Sequence, residues 1–261
     1  MNATCQIFDL IEKLDKDGQV RNKLATLKQQ HNCAASQEEE VPAWERDLPQ
    51  DGTYYRLLLN RKPFVDSGPL KVRPVLGDSE TSNIDINTTD AIRNGGCAVF
   101  HGAACLHIHP PIGKRWVLSG DFIMDGWARL SENRHHNTIL SYGTYRDGIL
   151  LRPGTDGSLW VLNQQRNCTP FFPVNKWVYF ALVRSGGTVE FWTAEHGQPR
   201  AGLRESFQIG TSVINSVSTN PILGRSAHAA DEYLHGLLSD FRLYHPTSKN
   251  IDKSKVPFAL S

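Results

Sequence analysis

The sequence predicts a mainly β protein, in which an antiparallel sandwich of two sheets follows a short N-terminal helical arm. From residue 97 onward, about nine runs of roughly five to nine residues are rich in aromatic and β-branched side chains and are separated by Gly, Asn or Asp. Tight connections at Asp156-Gly157 and Ser185-Gly186-Gly187 are typical of antiparallel hairpins. No helical pattern interrupts the runs, and because one sheet cannot bury its own apolar face, they favour two stacked sheets.

The predicted helical arm carries two apolar stripes at helical spacing. The stripes lie on either side of Asp17-Gly18 and consist of Ile7, Leu10, Ile11 and Leu14, then Val20, Leu24 and Leu27. Helices this short are unstable alone, so the stripes need an apolar surface, on the rest of the chain or on a neighbouring subunit. Because stacked sheets cover their own apolar faces, we expect the arm to bind a partner subunit through Ile7, Phe8, Leu10, Ile11 and Leu14.

The chain is expected to divide into four segments. These are a helical arm (1–33), a linker with an extended β arm (34–96), the sandwich domain (97–246) and a C-terminal extension (247–261). Residues 34–52 are polar and lack any period, which is typical of a linker. Strand-like runs follow at 54–59 and 70–73, and the prolines near them favour edge strands or extended arms. A polar stretch from 77 to 96 closes the second segment.

Composition excludes several classes of protein. The 261 residues include 28 Lys and Arg against 27 Asp and Glu, so the net charge is +1 and no basic field for nucleic acid is expected. No apolar run approaches the roughly 18 residues that a membrane-spanning helix needs. The five cysteines are widely spaced without a C-x-x-C pair, and residues 1–5 do not resemble a secretory signal. We therefore expect reduced thiols and an intracellular site of synthesis.

Four groups of runs in the C-terminal part of the chain carry a recognisable order. They are an alternating run around Trp127 (121–129), a strand pair (138–151), a hairpin that begins at a Trp (175–192), and two closing runs (221–225 and 236–244). The last is the most specific, with a Gly, two apolar residues, an acid before an aromatic, then Arg, Leu and Tyr. Together they resemble the laminin-G-like or concanavalin-A-like jelly-roll family over about residues 97–246, which implies a jelly-roll sandwich.

The closing run also predicts which side chains enter the core. Strict alternation places Leu237, Ser239, Phe241 and Leu243 on one face of the strand. We expect the Phe and Leu side chains of this face to lie in the core, with Asp240 and Arg242 directed outward.

The resembled family contains both binding proteins and hydrolases, and a retaining glycosidase needs two carboxylates roughly 5–5.5 Å apart. The family's hydrolases carry a Glu-x-Asp-x-x-Glu type of run, and this sequence has none. Asp121 and Asp125 are four residues apart, and the adjacent Asp231 and Glu232 would point in opposite directions on a strand. We therefore predict no catalytic residue.

Metal sites are weakly indicated. Cys105, His107 and His109 would share one face of a strand, but the ends of that set lie about 13 Å apart, too far for one ion. His107 and His109 could still share a metal with a third ligand from elsewhere in the chain. Calcium is the resembled family's commonest ion, and Asp147, Asp156 and Asp231 are candidate loop ligands in no spacing that matches the family. No metal site or cofactor is predicted, with calcium kept as an alternative.

Aromatic side chains near predicted strands and loops could form a platform for a sugar. The candidates are Tyr142, Tyr145, Trp160 and Trp192. Packing in the core or between the sheets is the more common role for such residues.

These observations favour a non-enzymatic structural or binding protein. The first hypothesis is a virion component, either a phage capsid-decoration or a tail protein, assembled in the host cytoplasm as a homo-oligomer with other virion subunits. The alternatives are a carbohydrate- or protein-binding lectin-like module that meets a surface glycan, and a divergent glycoside hydrolase. No nucleic-acid partner and no membrane span are expected, and a cytoplasmic location is the alternative to the virion.

Overall fold

The fold is described from a computed structural model, for residues 52–62, 64, 66, 75–77, 84–90, 92, 95–109, 118, 120–155, 157–214, 220–229 and 232–246. All of these belong to a compact unit at Leu48–Ser261. The predicted helical arm at 1–33, with its proposed partner-binding residues, and the extension at 247–261 lie outside the described residues. Within the described ranges, no helix is long and apolar enough to cross a membrane.

The described chain forms fifteen β-strands and one short 3₁₀ turn at Thr169–Phe171. In chain order the strands are β1 (Gly52–Leu57), β2 (Val75–Gly77), β3 (Ile84–Asn87), β4 (Cys97–His101), β5 (Cys105–His107), β6 (Phe122–Leu130), β7 (Leu140–Tyr142), β8 (Ile149–Arg152), β9 (Ser158–Val161), β10 (Gln164–Arg166), β11 (Trp177–Ser185), β12 (Thr188–Glu195), β13 (Gly202–Gln208), β14 (Ile222–Leu223) and β15 (His235–Pro246).

The strands pair into two antiparallel sheets. The eight-stranded sheet runs β13-β12-β11-β6-β15-β4-β3, with β1 also paired to β15, and the seven-stranded sheet runs β10-β9-β8-β7-β14-β5-β2. The predicted mainly β, two-sheet antiparallel jelly-roll class is confirmed.

The main core lies between the inner faces of the two sheets. On β11, Val178, Phe180 and Leu182 point into this core and are 0–1% exposed. From the opposite sheet, Leu151 and Leu159 enter the same cluster. Burial of these side chains supplies the main stabilisation, at roughly 1.5–3 kcal/mol for each large apolar side chain.

A second apolar cluster covers the outer face of the eight-stranded sheet. It includes Trp127, Tyr179, Ala181 and Leu237, which are at most 6% exposed. Both faces of β11 are therefore buried, which explains why its sequence is apolar almost without interruption. The sequence analysis assumed that stacking of the two sheets covers every apolar face. This assumption is wrong for the eight-stranded sheet, because its outer face is apolar as well. The binding of the arm to a partner subunit stays a prediction.

A β-bulge in β15 corrects the predicted faces of the closing run. Its pairing with β6 shifts between Ser239 and Arg242, and Asp240 within the bulge has a φ of 49°. As a result, Phe241 and Leu243 enter the main core as predicted, but Leu237 joins the outer cluster. The expected outward exposure of Asp240 and Arg242 is wrong, because both are at least 95% buried in ion pairs.

Three strands come from the range in which the sequence predicts a linker and an extended arm. β1 pairs with the second half of β15, β2 pairs with β5, and β3 pairs with β4. β2 and β3 lie at sheet edges. β3 falls inside the stretch that the sequence marks only as polar, since its residues Ile84–Asn87 contain just two apolar side chains. The described sandwich therefore begins at Gly52.

Candidate functional site

Three aromatic rings meet at one end of the seven-stranded sheet. The ring of Tyr145 lies with its centroid 5.3 Å from that of Trp160 and 4.9 Å from that of His228. Tyr145 and Trp160 are partly exposed, and His228 is exposed. We call these three residues the aromatic platform. Arg146, also exposed, places its guanidinium carbon 5.5 Å from the centre of the Tyr145 ring.

The loop between β7 and β8 presents Tyr145 and Arg146. Asp147 closes this loop, because its Oδ1 accepts hydrogen bonds from the Thr144 amide at 2.9 Å and from the Thr144 hydroxyl at 2.8 Å. Gly148 then passes so close to the Tyr142 carbonyl that an added Cβ would lie 1.8 Å from its oxygen. Glycine is therefore required at this position, and the loop is held in one tight conformation.

The turn between β9 and β10 fastens the same loop from the other side. Leu162 and Asn163 both have positive φ values, 46° and 66°, as a two-residue type I′ hairpin turn requires. The Asn163 amide donates a hydrogen bond to the carbonyl of Tyr145 at 2.8 Å, and the Leu162 amide donates one to the carbonyl of Gly148 at 3.0 Å. The backbone of Tyr145 is thus fixed by a neighbouring hairpin.

Trp160 reaches the platform because of its position on β9. Its neighbours Leu159 and Val161 point into the core and are fully buried, so alternation directs Trp160 to the outer face. Across the sheet it pairs with Leu150 on one side and Gln165 on the other.

His228 is carried by the connection from β14 to β15. The Ala227 amide donates to the Ser141 hydroxyl at 3.0 Å, which ties this connection to β7. Further along, the buried carboxylate of Glu232 accepts a hydrogen bond from Arg152 at 2.5 Å and lies 3.3 Å from His136. These contacts hold the connection against the outer face of the seven-stranded sheet, with the ring of His228 nearly perpendicular to that of Tyr145.

The polar groups of the platform have unused hydrogen-bonding capacity. Four polar groups of the site form no hydrogen bond or ion pair among the described residues. They are the indole N–H of Trp160, the hydroxyl of Tyr145, the ring nitrogens of His228 and the guanidinium of Arg146. By contrast, Trp177 donates its indole N–H to the Asp90 carbonyl at 3.2 Å, and Trp192 donates to Glu190 at 3.1 Å. The platform therefore offers partly exposed aromatic rings, tilted against one another, together with available donors and acceptors.

The structure brings together two of the four aromatic residues that the sequence proposed for a sugar platform. Tyr145 and Trp160 are in contact, whereas Tyr142 is fully buried in the core and Trp192 packs on the outer face of the other sheet. The sequence analysis missed Arg146 and His228. Arg146 is adjacent to a proposed residue, but no local pattern marks His228, because its contact with Tyr145 depends on tertiary packing.

The histidine and cysteine cluster near β5 does not form a metal centre in the described part of the chain. The rings of His107 and His109 lie 6.2 Å apart, and Asn220 approaches His109 Nδ1 at 3.0 Å. Burial first, and then the neighbouring His109, lower the pKa of His107. Cys105 is fully buried. No group of three or more His, Cys, Asp or Glu side chains suited to a metal occurs among the described residues.

The candidate calcium ligands are divided between the described and undescribed parts of the chain. Asp147 already uses one carboxylate oxygen to close its own loop. Asp156 and Asp231 lie outside the described residues. Calcium thus stays an alternative to the prediction that no cofactor is bound.

The carboxylates weighed for glycoside hydrolysis have structural contacts. Asp125 is buried and accepts hydrogen bonds from Arg242 at 2.5 and 2.8 Å and from the Tyr179 hydroxyl at 2.6 Å. Asp121 accepts one from the Gly186 amide at 2.8 Å. A buried carboxylate that accepts hydrogen bonds from an arginine and a tyrosine, as Asp125 does, is out of reach of a substrate.

The three described cysteines, Cys97, Cys105 and Cys168, are buried and reduced. Burial raises the pKa of the Cys97 thiol to about 11, so it is protonated at neutral pH. Cys5 and Cys33 lie outside the described residues.

No protein-family model matches the chain, and no curated protein matches it. Solved structures with a similar arrangement include the binding domain of botulinum neurotoxin DC in complex with rat synaptotagmin II, at 11% identity and a TM-score of 0.47 over 80% of this chain and 51% of that one. The lectin UEA-II complexed with galactose is 7% identical with a TM-score of 0.37, over 74% of this chain and 98% of that one.

An arabinofuranosidase complexed with arabinofuranosyl-alpha-1,2-xylobiose is 8% identical with a TM-score of 0.43, over 80% of this chain and 45% of that one. The chain spans about half the length of the neurotoxin binding domains that it matches. At these identities the similarity is one of fold.

Proposed function

We propose that this protein is a non-enzymatic binding module that binds a glycan at the aromatic platform. One observation carries the proposal: Tyr145 and Trp160 lie in contact and partly exposed, and their polar groups have no partner among the described residues. Large aromatic side chains usually bury their surface and satisfy their polar atoms, so a pair that is left partly exposed with unbonded polar atoms is suited to a ligand.

A sugar matches both properties of the platform. Its C–H face packs on an aromatic ring, and its hydroxyl groups exchange hydrogen bonds with side chains at the ring edges. Here the Trp160 indole N–H supplies a donor, the Tyr145 hydroxyl supplies a donor and an acceptor, and His228 supplies ring nitrogens. The loop that holds Tyr145 is fixed by Asp147 and by the β9–β10 turn, so little conformational entropy is lost on binding.

A glycoside hydrolase receives less support. In a hydrolase two carboxylates flank the bond that is broken, whereas the aromatic platform has a single neighbouring acid, Asp147, in the described loop that carries Tyr145 and Arg146, and this acid closes the loop. The buried Glu232 is held by Arg152.

Glycan-array binding of the full chain tests the proposal. We expect specific binding to one or a few glycans, and we expect Trp160→Ala and Tyr145→Ala to remove it. Trp192→Ala is the matched control, since it removes a partly exposed tryptophan from the other sheet. Absence of binding to any glycan, or loss of binding in the control alone, would refute the proposal. Release of reducing sugar by the wild-type chain would instead support a hydrolase.

We further propose that the module is displayed by a larger assembly, of which a virion is the best candidate. The support is the amphipathic stripe of the arm in the sequence, which suits a partner subunit. Native mass spectrometry of the full chain should show oligomers that disappear in the double variant Ile11→Asp, Leu14→Asp. An oligomer that survives this change, or a monomeric wild type at micromolar concentration, would contradict the assembly role.

A further inference from the structure

Four arginine side chains in the described chain stack on aromatic rings. Their guanidinium carbons lie 5.3–5.7 Å from the ring centres, in the pairs Arg146–Tyr145, Arg166–Phe207, Arg204–Phe171 and Arg225–Tyr233. Stacking of this kind holds a guanidinium in place while its N–H groups, directed outward from the ring edge, can still bond.

Three of these guanidinium groups already have polar partners. Arg166 donates to the Gln165 carbonyl at 2.8 Å and faces Glu205 at 3.5 Å. Arg204 donates to the Thr193 hydroxyl at 2.8 Å, and Arg225 donates to the Ser226 carbonyl at 3.3 Å. Their positions are explained by the protein's own structure.

Arg146 differs from the other three. Its guanidinium has no hydrogen bond and no ion pair among the described residues, although it is stacked on the ring that forms the centre of the platform. The adjacent acid, Asp147, is directed back to Thr144 by two hydrogen bonds. Glu232, a further described acid on this face, is paired with Arg152. Among the described residues, the guanidinium of Arg146 thus has no acidic partner, and it lies beside a surface that suits a sugar ring.

We propose that the ligand of the aromatic platform is an acidic glycan, whose carboxylate is bound by the guanidinium of Arg146. This inference rests on the proposed glycan-binding function and specifies its ligand class. A planar carboxylate matches the fork of N–H donors on arginine and can accept two parallel hydrogen bonds. His228, whose ring packs against that of Tyr145 at nearly a right angle, adds hydrogen-bonding nitrogens and contributes no negative charge.

The test compares acidic sugars with their own methyl esters, which keep the sugar ring and lose the charge. We would titrate the full chain with trigalacturonic acid and 3′-sialyllactose, each beside its methyl ester, by calorimetry at low ionic strength. We expect at least one acid to bind on the order of tenfold more tightly than its ester, and this preference to weaken with added salt.

Arg146→Gln should reduce the affinity for that acid to the level of its ester and leave the affinity for the ester unchanged. Arg166→Gln is the matched control, because it removes another stacked arginine, on Phe207, and should change neither affinity. Circular dichroism of both variants checks that the fold is retained.

The outcomes separate this inference from the proposed function. Equal binding of acid and ester, with both lost in Trp160→Ala, would overturn the acidic ligand and leave a glycan-binding platform. An acid preference that persists in Arg146→Gln would also overturn it. If these probes and every glycan of the array fail to bind, both proposals fall together.

Discussion

The outer faces of the two sheets use the same residue types in opposite ways. On the eight-stranded sheet, Trp127 and Tyr179 are 3% and 1% exposed, and Tyr179 donates its hydroxyl proton to Asp125 at 2.6 Å. On the seven-stranded sheet, Trp160 and Tyr145 are partly exposed, and their polar atoms have no partner among the described residues. An aromatic side chain in a strand or loop therefore indicates function only once its exposure and its hydrogen bonds are known.

The arginines of the two faces differ in the same way. Arg242 is buried, and although burial opposes its charge, Asp125 and Asp240 outweigh this effect and raise its pKa. Arg56 pairs with Asp240 at 2.7 Å in the same buried network. Arg146 is exposed and has no such acid among the described residues. Under the proposed function, the polar groups of the first face stabilise the fold and those of the second bind a ligand, and the following measurements test this difference.

The buried network should give the largest stability effect. Arg242→Met leaves the buried carboxylate of Asp125 without its guanidinium partner, which we expect to lower the free energy of unfolding by about 3–5 kcal/mol, measured by urea denaturation. The control is Lys176→Met, which breaks an exposed pair with Glu195 at 2.9 Å and should cost about 0–1 kcal/mol. Equal effects of the two changes would contradict the structural role of the network.

Two tryptophans provide the most direct comparison of the faces. Trp127→Ala should cost about 3–5 kcal/mol of stability, since it leaves a cavity beside Tyr179. Trp160→Ala should cost about 1 kcal/mol or less, because its side chain is already partly in water, and should remove glycan binding. The distinction fails if Trp160→Ala destabilises the protein as much as Trp127→Ala does.

The tight loop below Tyr145 couples stability to binding. Gly148→Ala forces its new methyl group against the Tyr142 carbonyl, which we expect to cost about 1–3 kcal/mol and to weaken glycan binding by displacing Tyr145. Gly120→Ala is the control, since an added Cβ there meets nothing within 4 Å. Thermal denaturation and glycan-array binding are measured for both variants. Unchanged glycan binding in Gly148→Ala would show that the conformation of this loop does not control the binding site.

A smaller effect is expected from pH. Burial lowers the pKa values of His107, His235 and His245 below the ordinary 6.5, with Arg134 adding to the effect at His235. The unfolded chain therefore binds more protons than the folded chain as the pH falls below about 6.5. The stability that these three uncharged histidines contribute is fully present above that pH and is lost progressively below it.

Urea denaturation at pH 8, 7, 6 and 5 measures this dependence. His245→Gln should give a shallower loss between pH 7 and pH 5, because one of the histidines with a lowered pKa is absent. If the free energy of unfolding of this variant falls with pH as steeply as that of the wild type, His245 does not contribute to the pH dependence.

The periodicity of the sequence predicted much of the fold. Alternating or continuous apolar runs marked β6, β11, β12 and β15, because sheet faces that pack together require apolar side chains at regular positions. It did not predict β3, whose short polar strand is held by pairing with β4. A strand of this kind depends on its neighbour more than on its own composition.

For the site, the sequence by itself determined which residues were available: Tyr145 beside a loop, and Trp160 on a strand with an apolar residue on each side. Only the tertiary structure decided that Tyr145 contacts Trp160 and His228, that Tyr142 enters the core, and that a bulge at Asp240 places Leu237 in the outer cluster. Local sequence sets the period and the turn chemistry of each segment. Contacts between distant segments depend on strand register and on which polar groups find partners, and these emerge only when the whole sandwich packs.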